Sequence, residues 1–174
     1  MTKQLEIDIL IKSKKWQKYA EIEDFITKTC QKLIKNTKIN DFLQNKKNKI
    51  ELAISLVSDA QIKKINYQFR DKNKTTDVLS FPAIDKKLLQ KSDFFKNLKT
   101  SQIFLGDIVL SLETIELEAV TSKKNFYHHL THLILHSILH LTGFDHKNKN
   151  DAKKMEEIEI EILQKLNIWN PYKC

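Results

Sequence analysis

The stretch HSILHLTGFDH, residues 136–146, places two histidines four residues apart in an apolar segment that ends at a glycine. In a helix, positions i and i+4 lie on one face, about 5–6 Å apart, so His136 and His140 can reach one ion. Gly143 tolerates the positive φ that ends many helices, and the chain can then turn back to bring in His146. Three neutral nitrogen ligands with a fourth position open to water are typical of a catalytic zinc. The spacing therefore predicts a metal site.

The segment around this motif, from about Asn125 to Thr142, is apolar nearly all round, which predicts a central, buried helix. His128 and His132 continue the same helical face at four-residue spacing, but they lack the glycine turn and the closing third histidine. His128 and His129 are expected to be exposed near the helix start. His132 is expected either to pack or to support the metal site by a hydrogen bond from outside the coordination sphere.

Ser137 argues against the most familiar chemistry of this spacing. Metzincin peptidases share the spacing and carry Glu directly after the first histidine, because peptide hydrolysis needs a general base beside the metal-bound water. Ser137 occupies that position here and cannot serve as a carboxylate base. A metallopeptidase is therefore the least favoured of the functions considered.

Length and composition are those of one soluble domain. The chain has 174 residues, enough for a core without disulfide support. Its two cysteines, Cys30 and Cys174, are too few and too far apart for a disulfide framework or a thiolate zinc site. The N-terminus shows no signal-peptide pattern, and no apolar run approaches the roughly 18 residues of a membrane span. We expect a single cytoplasmic domain over residues 1–174, with no membrane partner.

The net charge of +8 supports nucleic-acid binding only weakly, because 29 of the 30 basic residues are lysine in a chain also rich in asparagine. This skew suggests an AT-rich coding sequence, which favours lysine whatever the function. The single arginine, Arg70, is then expected to do what lysine cannot, namely bind a phosphate or carboxylate with a planar, two-pronged guanidinium. The alternative is a structural salt bridge at the end of a helix.

Hydrophobic periodicity predicts four strands separated by helices. The predicted strands cover residues 4–12, 51–57, 78–81 and 103–111. The predicted helices cover residues 16–35, 59–69, 112–121, 125–142 and 151–166. A capping box of Ser58 and Gln61 marks the start of the second helix. Residues 83–101 are predicted to form a long loop with a short helix and are assigned no chemistry.

Two predicted elements carry carboxylates in or near apolar segments. Asp107 follows Gly106 inside the apolar strand 103–111. A glycine there predicts close approach of another backbone or a ligand, and a carboxylate there is expected to have a buried partner. The last helix is expected to bury an apolar stripe that includes Met155 and Ile162, and to have a glutamate-rich outer face.

Three blocks of the sequence resemble the signature blocks of the bacterial YbeY family, metal-dependent endoribonucleases that are also described as rRNA maturation factors. They are FRDKNKTTDVLSFP (69–82), LGDIV (105–109) and HSILHLTGFDH (136–146). The resemblance spans roughly residues 50–165 in the correct order, and the third block is highly specific. One departure is Ser137, where the family usually has glycine. The resemblance implies an α+β fold with a four-stranded mixed sheet, about six helices and a metal site in a cleft.

The resemblance also implies a function. It is zinc-dependent cleavage of single-stranded RNA, in rRNA maturation such as processing of the 3′ end of 16S rRNA, and in quality control of the ribosome. The expected partners are single-stranded RNA, ribosomal RNA in particular, and the small ribosomal subunit; DNA is not expected. Carried over by position, His136, His140 and His146 would bind one zinc ion, and Arg70 would be the basic residue in the cleft.

Each of these residues suits RNA hydrolysis in a specific way. Zinc can act as a Lewis acid on a phosphoryl oxygen or as a source of hydroxide near neutral pH. Arg70 would stabilise the charge that builds up on a phosphorane-like transition state. Lys72 and Lys74 either hold the RNA backbone nearby or are ordinary solvated turn residues. Asp107 and Asp145 are candidates for the general base, although for both we favour a role in orienting a ligand by hydrogen bonding.

A second function from a different class is an RNA-binding ribosome assembly factor whose zinc is not catalytic. The missing glutamate favours this alternative, because no obvious general base remains. The absence of a fourth protein ligand from the motif argues against it, since structural zinc sites are usually closed by four protein ligands.

Overall fold

The computed structural model describes residues 4–89, 91, 93–146 and 148–173. Four strands form one mixed sheet in the order β1-β2-β4-β3, in which the first three run parallel and β3 pairs antiparallel with β4. The strands are β1 (Leu5–Ile11), β2 (Lys49–Val57), β3 (Val78–Pro82) and β4 (Gln102–Ser111). The α+β class and the four-stranded mixed sheet are therefore confirmed.

Seven α-helices accompany the sheet within the described residues, against an expectation of about six. They are α1 (Ile22–Ile34), α2 (Ile39–Leu43), α3 (Asp59–Arg70), α4 (Lys86–Leu89), α5 (Leu112–Thr121), α6 (Phe126–Leu141) and α7 (Lys149–Lys165). Two of them, α2 and α4, have only 5 and 4 residues. None of the helices in the described ranges combines the length and the apolarity needed to cross a bilayer.

The histidine-bearing helix α6 lies at the centre of the molecule, as predicted. Its apolar side chains, such as Leu130, Ile134 and Ile138, are fully buried in a core shared with α1, α5, α7 and one face of the sheet. The helix begins after Asn125, whose side-chain oxygen accepts hydrogen bonds from two N–H groups of the first turn. It ends before Gly143, which has a φ of +97°. Burial on these sides fixes the direction in which the histidines point.

Helix α3 packs on the opposite face of the sheet. A smaller buried cluster there joins Ile62 of the helix to Val57, Leu79 and Val109 of three strands. The predicted capping box is present at its start. Its last residue, Arg70, lies beside the edge strand β3, where the guanidinium Nη2 donates to the carbonyl oxygen of Ser80 at 3.3 Å. The end of α3 therefore delivers the lone arginine to the edge of the sheet.

The helix predicted over residues 16–35 is wrong at its beginning. Lys14–Lys18 form a separate 3₁₀ turn, and α1 begins only at Ile22, after Glu21 with a φ of 58°. Trp16 is fully buried, and its indole Nε1 donates to the carbonyl oxygen of Val57 at 2.9 Å. Anchoring this indole in the core takes precedence over the helical periodicity of the segment.

Gly106 confirms the expected close approach of another backbone. It has a φ of +138°, and a Cβ atom placed there would lie 2.2 Å from the carbonyl oxygen of Phe81 in β3. The pairing of β4 with β2 shifts register by one residue at this point, which is a β-bulge. The glycine therefore allows the backbone of β3 to lie close to that of β4. The bulge changes which face of the sheet the following residues occupy.

The expectation of a buried partner for Asp107 is wrong, because its side chain is exposed. Side chains alternate between the faces of a strand, so without the bulge Asp107 would share the core face with Leu105. The extra residue reverses the alternation. Ile108 now belongs to the main core, and Val109 belongs to the cluster under α3. Asp107 therefore lies on the sheet face opposite the histidine helix.

Candidate metal centre in a cleft

Helix α6 and the turn after it bring three histidines together. One ring nitrogen from each of His136, His140 and His146 can be chosen so that all three lie within 4.8 Å of one another. The ring centroids are 4.6 Å, 5.5 Å and 4.9 Å apart for the pairs 136–140, 136–146 and 140–146. His136 and His140 are half-buried and His146 is exposed, so the cluster opens to solvent on one side.

Hydrogen bonds at the far side of two of these rings define which nitrogens can bind a metal. Nδ1 of His140 lies 3.0 Å from the carbonyl oxygen of Phe144, and Nδ1 of His136 lies 2.7 Å from a carboxylate oxygen of Glu159. A backbone carbonyl oxygen can only accept a hydrogen bond, and so can the Glu159 carboxylate, which is ionised. Each Nδ1 therefore carries the proton. In the neutral rings each Nε2 then presents a bare lone pair, as metal binding requires.

The two Nε2 atoms of His136 and His140 lie 3.0 Å apart. Two lone pairs at this distance repel each other unless a cation lies between them. Nitrogens that bind a tetrahedral zinc at about 2.0–2.1 Å are about 3.3 Å from each other. The donor set and its spacing therefore fit a small divalent cation that prefers imidazole ligands, with His146 supplying the third nitrogen.

Glu159 of α7 contacts the histidine cluster through Nδ1 of His136. Its side chain is completely buried, and its second oxygen, Oε2, lies 3.1 Å from Nε2 of His132 and accepts a hydrogen bond from the hydroxyl of Tyr172. Burial alone would raise the pKa of Glu159, but the hydrogen bonds from His132, His136 and Tyr172 outweigh it and hold the pKa at about 2. The carboxylate is therefore charged at neutral pH and holds both histidines in fixed orientations.

Charge at His140 is disfavoured in the folded protein. Burial, and next the proximity of His136, lower the pKa of His140 to about 4, against an ordinary value of 6.5. His140 is therefore neutral at physiological pH and available as a ligand.

Arg70 faces the same opening as the histidines. The opening, called here the histidine cleft, comprises two adjoining cavities of about 340 and 470 Å³, both lined by Arg70, Ser80, His140 and His146, and His136 lines the larger. The guanidinium carbon lies 5.9 Å from the centroid of the Phe81 ring. None of the ion pairs formed among the described residues includes Arg70. The guanidinium therefore keeps most of its donors for a ligand in the cleft.

Two carboxylates line the histidine cleft, Asp77 and Asp145, and Asp145 lies directly before His146 in the chain. Its Oδ1 accepts a hydrogen bond from the backbone N–H of His146 at 2.8 Å, and its Oδ2 accepts one from Nζ of Lys86. Lys86 also lines the cleft. The structure thus places Asp145 where it can orient the third histidine, and it adds a lysine that the sequence did not single out.

The other predicted residues differ in where they lie. His128 is exposed, as expected, but the expectation for His129 is wrong, because it is buried and its Nε2 lies 2.9 Å from Oε2 of Glu118 in α5. His132 contacts the site indirectly, through Glu159. Asp107, on the far face of the sheet, is not brought to the histidines. Lys72 and Lys74 are exposed in the turn after α3 and do not line the cleft, whereas Lys86 and Lys124 do.

Glu159 is the main residue that the sequence analysis missed. The last helix was expected to have a glutamate-rich outer face, but Glu159 lies on its buried side. The sequence contains a signal for it, because Glu159 is four residues after Met155 and three before Ile162, both buried. A carboxylate in the middle of an apolar helical stripe needs a buried partner, and the histidine helix supplies it.

Comparisons with known proteins identify the family of the chain. A family model described as endoribonuclease YbeY matches residues 10–167. A protein of that name from Bartonella quintana (strain Toulouse) is 39% identical over 168 residues, covering 97% of each chain. Another of that name, from Agrobacterium fabrum (strain C58), is 36% identical over 168 residues, covering 97% of this chain and 95% of the relative.

A solution structure from Thermotoga maritima shares the fold. It has a TM-score of 0.54 and 23% sequence identity, and the match covers 97% of this chain and 99% of the other. The matched range, residues 10–167, spans most of the chain. The chain therefore belongs to the endoribonuclease YbeY family.

Proposed function

We propose that this chain is a zinc-dependent endoribonuclease that cleaves single-stranded RNA in the histidine cleft. The observation that carries the proposal is the pair of bare Nε2 atoms of His136 and His140, 3.0 Å apart, in a cleft that also contains the lone arginine. Membership of the endoribonuclease YbeY family supports RNA as the substrate. A bound zinc ion would supply a Lewis acid for a phosphoryl oxygen and a means of making hydroxide near neutral pH.

The residues around the ion have separate roles in this proposal. His136, His140 and His146 hold the metal, while Glu159 and the carbonyl of Phe144 fix the tautomers of the first two. Asp145 orients the third histidine through its backbone N–H. Arg70 binds the phosphate that is cleaved and stabilises the negative charge that develops on its oxygens.

Access to the cleft favours a single strand. A phosphate of a flexible strand can enter between the edge strand β3 and the turn that carries His146, where Arg70 and His140 face it. We propose that the natural substrate is ribosomal RNA, including the 3′ end of 16S rRNA, and that the protein acts with the small ribosomal subunit in the cytoplasm. These finer assignments rest on the family alone.

A cleavage assay tests the proposal. End-labelled single-stranded RNA is incubated with the zinc-loaded protein, with the protein stripped by chelator, and with the His140→Ala variant. We expect internal cleavage by the loaded protein only, and restoration by added zinc for the wild type but not for the variant. RNA that is bound by the loaded protein but left intact would instead identify an assembly factor with a non-catalytic metal.

A further inference from the structure

A second groove, called here the C-terminal groove, adjoins the histidine cleft. It has a volume of about 510 Å³ and lies between the turn after α5, the start of α6 and the segment that follows α7. Four residues line both the groove and the cleft: Lys124, His129, His132 and Pro171. The groove and the cleft therefore adjoin, so a strand bound at the histidines can extend towards the groove.

Trp169 gives this groove an open aromatic face. Its side chain is 88% exposed, while the only other tryptophan, Trp16, is completely buried. Single exposed apolar side chains are common and carry little meaning by themselves. Leu117 on α5, for example, is 67% exposed but lines neither the groove nor the cleft. Trp169 differs because it lines a concave surface that leads to the metal centre.

The groove is also cationic. Lys123, Lys124 and Lys173 line it, and the described residues that line it include no aspartate or glutamate. Nζ of Lys124 donates to the carbonyl oxygen of Pro171 at 2.7 Å, which ties the turn after α5 to the segment after α7. An ammonium group has three donors, so Lys124 keeps two for a ligand at the junction of groove and cleft.

An exposed indole among lysines matches one class of ligand. Unpaired bases stack on aromatic rings with little regard to sequence, and lysine side chains contact the phosphates between them. Paired bases are already stacked and cannot offer a face to Trp169. The charge and the ring together therefore fit a single-stranded polynucleotide better than a duplex.

We propose that the C-terminal groove is a subsite for single-stranded RNA, in which Trp169 stacks on a base while Lys123, Lys124 and Lys173 contact the backbone. The nucleotides bound there would lie outside the histidine cleft, on the strand whose scissile phosphate is held by Arg70. This inference rests on the proposed function, since it extends the substrate of the same site. It assigns a role to Trp169 in how tightly and in which register the substrate binds.

Tryptophan emission tests the inference directly, because Trp16 is buried and Trp169 is exposed. The protein is stripped of metal so that RNA stays intact, and it is titrated with a labelled single strand of about 12 nucleotides. Label anisotropy gives the affinity, and indole emission reports contact at the groove. We expect saturating RNA to quench the emission of the wild type and to leave that of Trp169→Phe unchanged.

Three variants separate stacking from other effects. Trp169→Ala should weaken binding about 5- to 100-fold, the scale for loss of one stacked base, while Trp169→Phe should stay within about threefold of the wild type. Leu117→Ala, a matched loss of an exposed apolar side chain, should bind as the wild type does. Lys123→Gln should reduce the salt dependence of binding by about one counterion.

The outcomes distinguish this inference from the proposed function. The subsite would be overturned if Trp169→Ala bound RNA as tightly as the wild type and its emission were quenched to the same extent. It would also be overturned if saturating RNA did not quench the emission of the wild type. Neither result would affect cleavage at the histidines. If the zinc-loaded wild type did not cleave RNA but stacking at Trp169 were still observed, the proposed nuclease function would be overturned and the subsite would stand. A wild type that binds no RNA removes both.

Discussion

Nδ1 of His136 lies 2.7 Å from Oε1 of Glu159, a carboxylate that is completely buried between α6 and α7. This one contact determines the chemistry of the ring. An ionised carboxylate can only accept, so the proton is on Nδ1 and the lone pair is on Nε2, which faces His140. A negative charge behind the ring also makes Nε2 a better electron donor to a cation. The metal centre is therefore built by two helices rather than one.

Replacing this carboxylate should weaken metal binding without removing a ligand. In Glu159→Gln the amide oxygen can still accept from Nδ1 of His136, but the negative charge behind the ring is lost. We expect zinc affinity to fall about 10- to 100-fold, measured by competition with a chromophoric chelator. Glu157→Gln, an exposed change on the same helix, is the matched control. Equal affinities for the two variants would show that Glu159 does not support the site.

Loss of a ligand should have a larger effect. Purified protein should contain about one zinc ion per chain, and His136→Ala or His140→Ala should abolish tight binding, because each removes one of three nitrogens. His128→Ala should retain the metal, since His128 is exposed and lies outside the cluster. Elemental analysis after dialysis measures this. Full zinc content in both ligand variants would mean that the metal binds elsewhere.

The metal ligands could be predicted from the sequence because their geometry is local. His136 and His140 lie on one helical face, and the turn at Gly143 needs only neighbouring residues to bring His146 back. Most strands and helices were also predicted within a few residues, since each has its own hydrophobic period. Trp16 shows the limit of such patterns. The periodicity alone would begin the helix at Trp16, but the burial of its indole delays the start of the helix.

The residues that the sequence placed wrongly depend on distant parts of the chain. Asp107 faces away from the site because a bulge next to Gly106 reverses the alternation of side chains along β4. That bulge occurs where the backbone of β3 lies very close to β4. Glu159 faces the site because α7 packs against α6, 23 residues away from His136. Neither relationship follows from the periodicity of one element, although the position of Glu159 within an apolar stripe is a usable signal.

The metal-free protein should lose stability as the pH falls from about 6.5 to about 4. The pKa of His140 is about 4 in the folded protein and about 6.5 when it is unfolded, because burial and then His136 disfavour its charge. Between these values the unfolded chain binds a proton that the folded chain does not, so the free energy of unfolding falls. Above pH 6.5 this group contributes no pH dependence.

Urea unfolding of the metal-free protein at several pH values measures this effect. His140→Gln removes the titrating group, so its free energy of unfolding should depend less steeply on pH across the same window. Parallel curves for the wild type and the variant would contradict the assignment.

Peptide hydrolysis should be absent. The position that holds the general base in metzincins is Ser137, whose side chain is completely buried and cannot reach a substrate. The buried Glu159 is bound to the back of His136, away from the open side of the cluster. Casein and short peptides should therefore be cleaved no faster than in a chelated blank. Zinc-dependent proteolysis by the pure protein, lost in His140→Ala, would overturn the nuclease proposal.

Arg70→Lys should separate a catalytic arginine from a structural one. The substitution keeps the charge but loses the planar fork, which can bind two phosphate oxygens at once. We expect RNA cleavage to fall about 10²–10³-fold, the scale for losing one preorganised contact to the transition state.

Zinc content and melting temperature should change little in this variant. The guanidinium is exposed, is not a metal ligand, and contacts the protein through one 3.3 Å hydrogen bond to Ser80 and the face of Phe81. A structural salt bridge at the end of α3 would give the opposite pattern, a lower melting temperature with near-normal turnover of the folded protein. No ion pair among the described residues involves Arg70, which favours the first pattern. Near wild-type cleavage by Arg70→Lys would show that charge alone suffices at this position.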